Sequence, residues 1–382
     1  MTKMSVNVRF PDAVPLEQSG MRSVLFDSFA HVPEAWYEVC SPDDLAMDLR
    51  VLEVFRSTLK DQCRCWALLI FDDSGTVIGC AALCAFKTGG MKVMFCGLPV
   101  PSGATHLRVR DGADIKMVVE EVERVMQQLA ASQECRLLVF KEFGDNTDSL
   151  TATLREAGYI CGDIPPMHVL DGRFKSFTEY QNAIKSRYRK QIRSSQQQLE
   201  AAGFEIFCGR GAAFFKQHYN DDVHQLYVAV QKRAKHKLEL MPASFFTELA
   251  EVLGNEVLLT LIRRDSRVCA FTFAITRGET HYNLYSGLDY ELNNEGDLYF
   301  NLFYTDMDQA FSAGATSLHL GQTSDDFKSR LGTKTERLHF YVHARSRAFH
   351  ALLRMVSPLA FPKVKPVRPH DVFSTPPKKK KR

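Results

Sequence analysis

Read for its alternation of apolar and polar positions, the chain carries the same plan twice. In the first half WALLIF (66–71), VIGCAALCAF (77–86) and MKVMFCG (91–97) are apolar runs of strand length, separated by the turn sequences DDSG and KTGG. This predicts an antiparallel three-strand meander. In the second half VLLTLI (257–262), VCAFTFAI (268–275) and THYNLYSG (280–287) repeat it around RRDS and TRGE. After each meander the apolar period changes from two to 3.6. Ile115, Val118, Val119, Val122, Met126 and Leu129 form one helical face, and Tyr299, Leu302, Phe303, Met307 and Ala310 form another. Asp114 and Asp297 stand where N-caps belong, and Gly314 where a helix should stop. LLVF (137–140) and SLHL (317–320) then predict one short strand per copy. Each is trailed by a polar stretch that closes on glycine, LREAGY (154–159) and FKSRLG (327–332).

A further helix is predicted over residues 177–202, opened by Ser176 and Glu179 as a capping box. Phe177, Tyr180, Ile184, Tyr188 and Leu199 give it an apolar side, and Lys185, Arg189, Lys190 and Arg193 gather on the other. Basic groups so spaced can hold phosphates or a carboxylated acceptor, and the same pattern also describes a solvated helix face.

Composition narrows the class. With 382 residues, 45% hydrophobic and 24% charged, the chain is long enough for two domains and apolar enough to fold without staples. The formal net charge of +3 is small and lies largely in the final KKKKR, so no global basic field points to nucleic acid. Ten cysteines lack any CxxC pair, and Cys80, Cys84, Cys96 and Cys269 fall inside apolar runs, where a reduced thiol acts as a small hydrophobe. A reducing, cytoplasmic setting is expected. The N-terminal MTKMSVNVRFPDAVPLEQ lacks the apolar core of a signal peptide, and no run reaches the length of a membrane span, so stable membrane insertion is not expected. There is no HExxH, Walker loop or GxSxG, and Cys63-x-Cys65 lacks further ligands in sequence, so no metal is expected. From about Pro358 the chain turns proline-rich and ends STPPKKKKR, which predicts a flexible tail over 351–382. A terminal PPKKKKR suits nuclear import, an anionic membrane or RNA alike.

Meander, loop, helix, strand and final hairpin is the order of a GNAT acyltransferase domain. Two in tandem, over about residues 60–345, resemble the Fem-type and CelD/BcsL-like branch of that superfamily. The resemblance rests on SRYRKQIRSSQQQLEAAGFEI (186–206), on LYVAVQKRAKHKLELMPASFFTEL (226–249), which holds Arg233, and on YSGLDYE (285–291). Its most specific piece is SLHLGQTSDDFKSRLG (317–332), with Gly321 and the Phe-Lys-x-x-x-Gly signature of Phe327, Lys328 and Gly332. It implies an α/β fold of two tandem GNAT-like domains, each a mixed, mostly antiparallel sheet flanked by helices. Residues 1–172 would be the non-catalytic copy, since Arg155 stands there without a Phe-Lys pair, and 173–350 would hold the active cleft.

The implied activity is an N-acyltransferase moving an acyl group from a carrier thioester, acyl-CoA or acyl carrier protein, to an amine, with no tightly bound cofactor. Two other readings are a Fem-like ligase drawing on aminoacyl-tRNA, and a catalytically silent pair in envelope polysaccharide or peptidoglycan assembly. In the Fem-type branch the motif lysine stabilises charge at the reacting acyl group, which assigns Lys328 that role. The branch's apolar-Asp-apolar-Gly strand reads here Leu318-His319-Leu320-Gly321, so a neutral His319 would replace the acid as general base. By period two, Tyr285 shares a strand face with His281 and Asn283 and is the second candidate for proton transfer. The donor loop ELNNEGDLYF (291–300) has a single glycine and the acids Glu291, Glu295 and Asp297, which suit a diphosphate poorly. Donor binding is therefore expected at Lys185, Arg189, Lys190, Arg193 and Arg233, with Phe327, Gly321 and Gly332 shaping the cleft.

Overall fold

A computed structural model of the chain describes residues 13–18, 21–100, 103–145, 147–172, 174–233 and 240–374. The expected PPKKKKR segment lies outside them. The chain divides into two compact units, Met1–Ile164 with Leu338–Lys363, and Pro165–Arg337 with Val364–Arg382. In place of single cuts near 172 and 350, the backbone returns to the first unit for 338–363 and then rejoins the second.

The first unit contains β1 (Ala13–Gln18), β2 (Met21–Phe26), α1 (Leu49–Thr58), β3 (Cys63–Asp72), β4 (Val77–Thr88), β5 (Met91–Cys96), β6 (Leu107–Val109), α2 (Ile115–Ser132), β7 (Leu137–Gly144), α3 (Asp148–Glu156) and the start of β8 (Ile160–Asp171). The predicted meander is β3-β4-β5, antiparallel throughout, and β7 adds to β5 in parallel. Asp114 caps α2 as expected, accepting from Lys116 N and Met117 N. The helix sets Val118, Val119, Val122, Val125 and Met126 against Leu68, Ile70, Leu83 and Met94 of the sheet. Each such buried side chain contributes about 1.5–3 kcal/mol over its exposed state. Late in the chain, β14 (Lys334–Ala344) lies between β7 and β8, and α12 (Arg347–Ala360) follows it. Residues 351–360 are thus helical, which corrects the expected flexible tail at its start.

The second unit contains α4 (Phe177–Ala183), α5 (Ser186–Ala201), β9 (Glu205–Arg210), α6 (Gly211–His218), α7 (Asp221–Arg233), α8 (Ala243–Leu253), β10 (Val257–Arg264), β11 (Arg267–Arg277), β12 (Thr280–Leu288), α9 (Tyr290–Gly296), α10 (Leu298–Ser312), β13 (Ser317–His319) and α11 (Asp325–Arg330). Its strands run β9-β10-β11-β12-β13, then the end of β8. Phe271 and Phe273 of β11 meet Phe215, Tyr219 and Phe246 on α6 to α8, while Thr272 between them reaches Asp306 of α10 on the other face. On the α10 face, Phe303 and Met307 pack with Leu318, Tyr180, Ile184 and Tyr188.

Three local expectations are corrected. The helix over 177–202 breaks at Ile184, whose extended ψ of 158° separates α4 from α5; at its start Ser176 Oγ accepts from Glu179 N as expected, while Glu179 Oε2 accepts from Lys175 N, one residue before the cap. Asp297 precedes α10 in the left-handed region without a side-chain cap bond. Residues 364–374 pack on the second unit, with Val372 O accepting from Lys185 N and Val372 buried. Among the described residues no helix is long and apolar enough to cross a membrane.

Candidate active site

In the second unit β12 and β13 pair in parallel only from Thr280–Ser317 to Tyr282–His319. Beyond that point β12 continues to Leu288 while the other chain turns at Gly321, at φ +86°, into α11. The two strands part there, and Lys328 stands at the parting. FKSRLG, expected as a polar loop, is mostly helical. Asp325 and Asp326 sit in its first turn and Lys328 and Arg330 in its last, as the helix dipole favours.

Lys328 is 2% exposed. Its Nζ lies 5.5 Å from the centroid of the Phe303 ring, and a methyl group on Gly321 would come within 3.3 Å of it and 3.7 Å of Asn283 O. Gly321 thus permits both the left-handed turn and the close approach of the amine to β12. Desolvation pushes the Lys328 ammonium down to about 7, against the opposing pull of Asp325. Beneath it, His168 of β8 is wholly buried. Its backbone exchanges bonds with Gly321 O (3.1 Å) and Leu320 N (2.8 Å), and its ring reaches Asp325 Oδ1 (2.9 Å) and Thr333 Oγ1 (3.1 Å). Burial lowers the His168 pKa, and the Lys328 charge works in the same direction. The ring sits between the Asp325 carboxylate at Nε2 and the Thr333 hydroxyl at Nδ1, and that hydroxyl also reaches Lys328 O (3.0 Å). His168 therefore ties α11 to β8 and fixes the carboxylate one helical turn before Lys328.

Sequence reasoning missed His168, which sits in MHVL without any periodic or motif signal. It also passed over Asp325, although an acid three residues before the motif lysine was visible in the quoted loop.

The residues expected to share the chemistry with Lys328 are held elsewhere. His319 neighbours Leu318 of the α10-side core, so it points to the opposite sheet face, and its ring packs 5.0 Å from Tyr282. Lys328 packs on the α10 side. Tyr285 does not share a face with Asn283. The register shifts from Phe273–Tyr285 to Ala274–Asn283, and the extra residue turns Tyr285 toward Phe245, Phe246 and Tyr227. Asn283 instead donates to Asp306 Oδ2 (2.6 Å), whose Oδ1 accepts from Thr260 and Thr272 (2.6 and 2.9 Å). Burial pushes that carboxyl up to about 6.

Phe327 stacks on Phe300 at 4.5 Å and, with Tyr188, Ser195, Asp297 and Arg330, lines a cavity of about 250 Å³. Gly332, at φ +85°, ends α11 against Phe373. The basic residues do not converge. Lys185 pairs with Asp371 (2.5 Å), Arg189 donates to the carbonyls of Gln181, Asn182 and Ile184 at the end of α4, and Arg233 stacks on Tyr290 at 3.9 Å. Lys190 and Arg193 are exposed on α5. At the start of α10, Asn293 Oδ1 accepts from Tyr299 N (3.1 Å) and Glu295 pairs with Arg264 (2.7 Å). The helix N-terminus is thus partly satisfied by its own chain.

Solved structures share this fold. The C-terminal domain assigned to a lysylphosphatidylglycerol synthetase from Agrobacterium fabrum is 15% identical, with a TM-score of 0.54 over 88% of this chain and 99% of that one. FemX is 13% identical, with a TM-score of 0.52 over 78% and 93%. A conserved protein of unknown function from Bacteroides thetaiotaomicron is 9% identical, with a TM-score of 0.51 over 84% and 99%. At these identities the likeness is one of fold, the tandem GNAT-like α/β arrangement. No curated protein matches by sequence. The model of the FemAB-like family, described as peptidoglycan biosynthesis/recognition, matches residues 94–354, and the chain belongs to that family.

Proposed function

We propose that the chain is a transferase that moves an acyl group from an activated carrier to an amine, in the service of cell-envelope synthesis, with the chemistry in the second unit and the first as support. The carrying observation is a buried lysine, poised near neutrality, where β12 and β13 part. The family's description supports the envelope setting.

In this reading the acceptor amine attacks the acyl carbon, a C–N bond forms, and the carbonyl electrons move onto oxygen. Collapse of the tetrahedral intermediate breaks the bond to the carrier, C–S in a thioester. Neutral Lys328 takes the proton that the amine loses and returns it to the departing sulfur. While protonated it faces the oxyanion in a site of low dielectric, where such a contact contributes on the order of 3 kcal/mol. One group then serves the two roles that the sequence divided between Lys328 and His319. Acyl-CoA or acyl carrier protein is the first candidate for the donor. A second donor, aminoacyl-tRNA, is favoured by one feature: the start of α10, where a diphosphate would be cradled, is taken up by Asn293.

Free-thiol release from acyl-CoA and acyl-carrier-protein panels, run beside transfer of labelled amino acid from charged tRNA, tests the reading. Activity is expected in one arm, rising as pH passes upward through about 7. Lys328→Arg keeps a cation but cannot give up its proton near neutrality, and should lose about 10²–10⁴-fold. Silence in both arms, or an active arginine variant with the same pH profile, would overturn the assignment.

A further inference from the structure

The first unit holds a side-chain cluster that this chemistry does not use. Cys63 and Cys65 are two residues apart on β3 and so face the same way, and Cys84 of β4 is the cross-strand partner of Cys65. The three Sγ atoms lie within 4.8 Å of one another, with Cys63 and Cys65 at 3.8 Å. All are free thiols and buried, at 6%, 1% and 0% exposure. Zinc bound to thiolates at about 2.3 Å in tetrahedral geometry separates its sulfurs by roughly 3.8 Å. The observed pair already has that spacing, and small side-chain rotations bring the third sulfur to it.

The cluster also has an approach. Cys63 and Cys65 border a cavity of about 400 Å³ whose walls carry Lys60, Arg64 and Lys87 beside Asp27 and Asp61, while Arg56 and Lys92 there pair with Glu53 and Glu134. Three thiolates around a divalent ion leave one net negative charge, which these cations offset. The cavity leaves room for a fourth ligand on its side. Sequence alone did not expect a metal, because Cys-x-Cys supplies two sulfurs and the third comes from the next strand.

We infer that Cys63, Cys65 and Cys84 form a tris-thiolate site for a soft d¹⁰ cation of the zinc type, with its open coordination position toward the cavity. The inference is independent of the proposed transfer reaction.

The test uses the full chain, reduced and stripped with a chelator, then titrated with cadmium, whose thiolate complexes absorb in the ultraviolet, and with zinc followed by native mass spectrometry. One ion per folded chain is expected, with a charge-transfer band that saturates at one equivalent. Affinity should drop at least tenfold in Cys63→Ser and stay unchanged in Cys269→Ala, whose thiol lies in the other unit. Because Cys84→Ser removes a core thiol and can unfold the sheet, the wild-type titration decides by itself. No saturable band at one equivalent, or a band that Cys63→Ser leaves intact, shows that these thiols only pack.

Discussion

Burying an ammonium costs free energy whenever it is protonated, and Lys328 is placed so that Asp325 only partly offsets the cost. Its folded pKa, about 7, lies below the ordinary 10.5, so between these values the unfolded chain binds the extra proton. Stability should therefore rise with pH from about 7 to 10.5, and the cost of this residue is greatest at and below neutrality. Lys328→Met is expected to abolish transfer and yet stabilise the fold at pH 7 by a few kcal/mol, on the order of 3, with the gain fading by pH 10. Denaturant unfolding at both pH values measures this, and a methionine variant that is less stable at pH 7 would show the lysine to be structural. Asp306 stands in the contrary position. Its carboxylate holds Thr260, Thr272 and Asn283 together, and Asp306→Ala would leave three buried donors without an acceptor. A loss of about 3–5 kcal/mol is expected by the same unfolding measurement. Lys328 was legible because a motif frames it, whereas Asp306 is one of several polar residues in α10, and its partners come from three strands that periodicity cannot align.

Strands and helices followed the apolar pattern closely where burial is one-sided or complete, as in β3-β4-β5, β10-β11-β12, α2 and α10. Departures came where a single residue resets the phase. The bulge in β12 inverts the facing of Tyr285, and the extended backbone of Ile184 splits a helix that the sequence would let run on. Neither leaves a mark in residue type, because both depend on the packing of the neighbouring elements. The end of α11 is a case where residue type does speak. Gly332 has φ +85°, and an added methyl group would meet Phe373 Cε2 at 2.6 Å. Gly332→Ala should cost about 1–3 kcal/mol, and adding Phe373→Ala should recover the part due to collision while leaving the part due to backbone strain. A double-mutant cycle with no coupling would mean that the two groups do not press on each other.

For the whole molecule, the tandem plan was visible in the sequence and its interleaving was not. A repeat suggests contiguous halves, yet residues 338–363 fold with the first unit and the segment after them with the second. Removing 364–382 takes away buried Val372 and the Phe373 bridge to Ile184. The second unit should lose roughly 2–4 kcal/mol, read as a lowered unfolding midpoint of that unit, and an unchanged midpoint would show the segment to be dispensable.

The position of β14 between β7 and β8 bears on the order of synthesis. A ribosome completes β7 and β8 long before it delivers Leu338–Ala344, so the nascent sheet must wait with two unsatisfied edges until β14 has been made. Exposed edges of this kind recruit foreign strands. Premature termination between the end of β8 at Asp171 and Leu338 would release a product with both edges open and prone to aggregate.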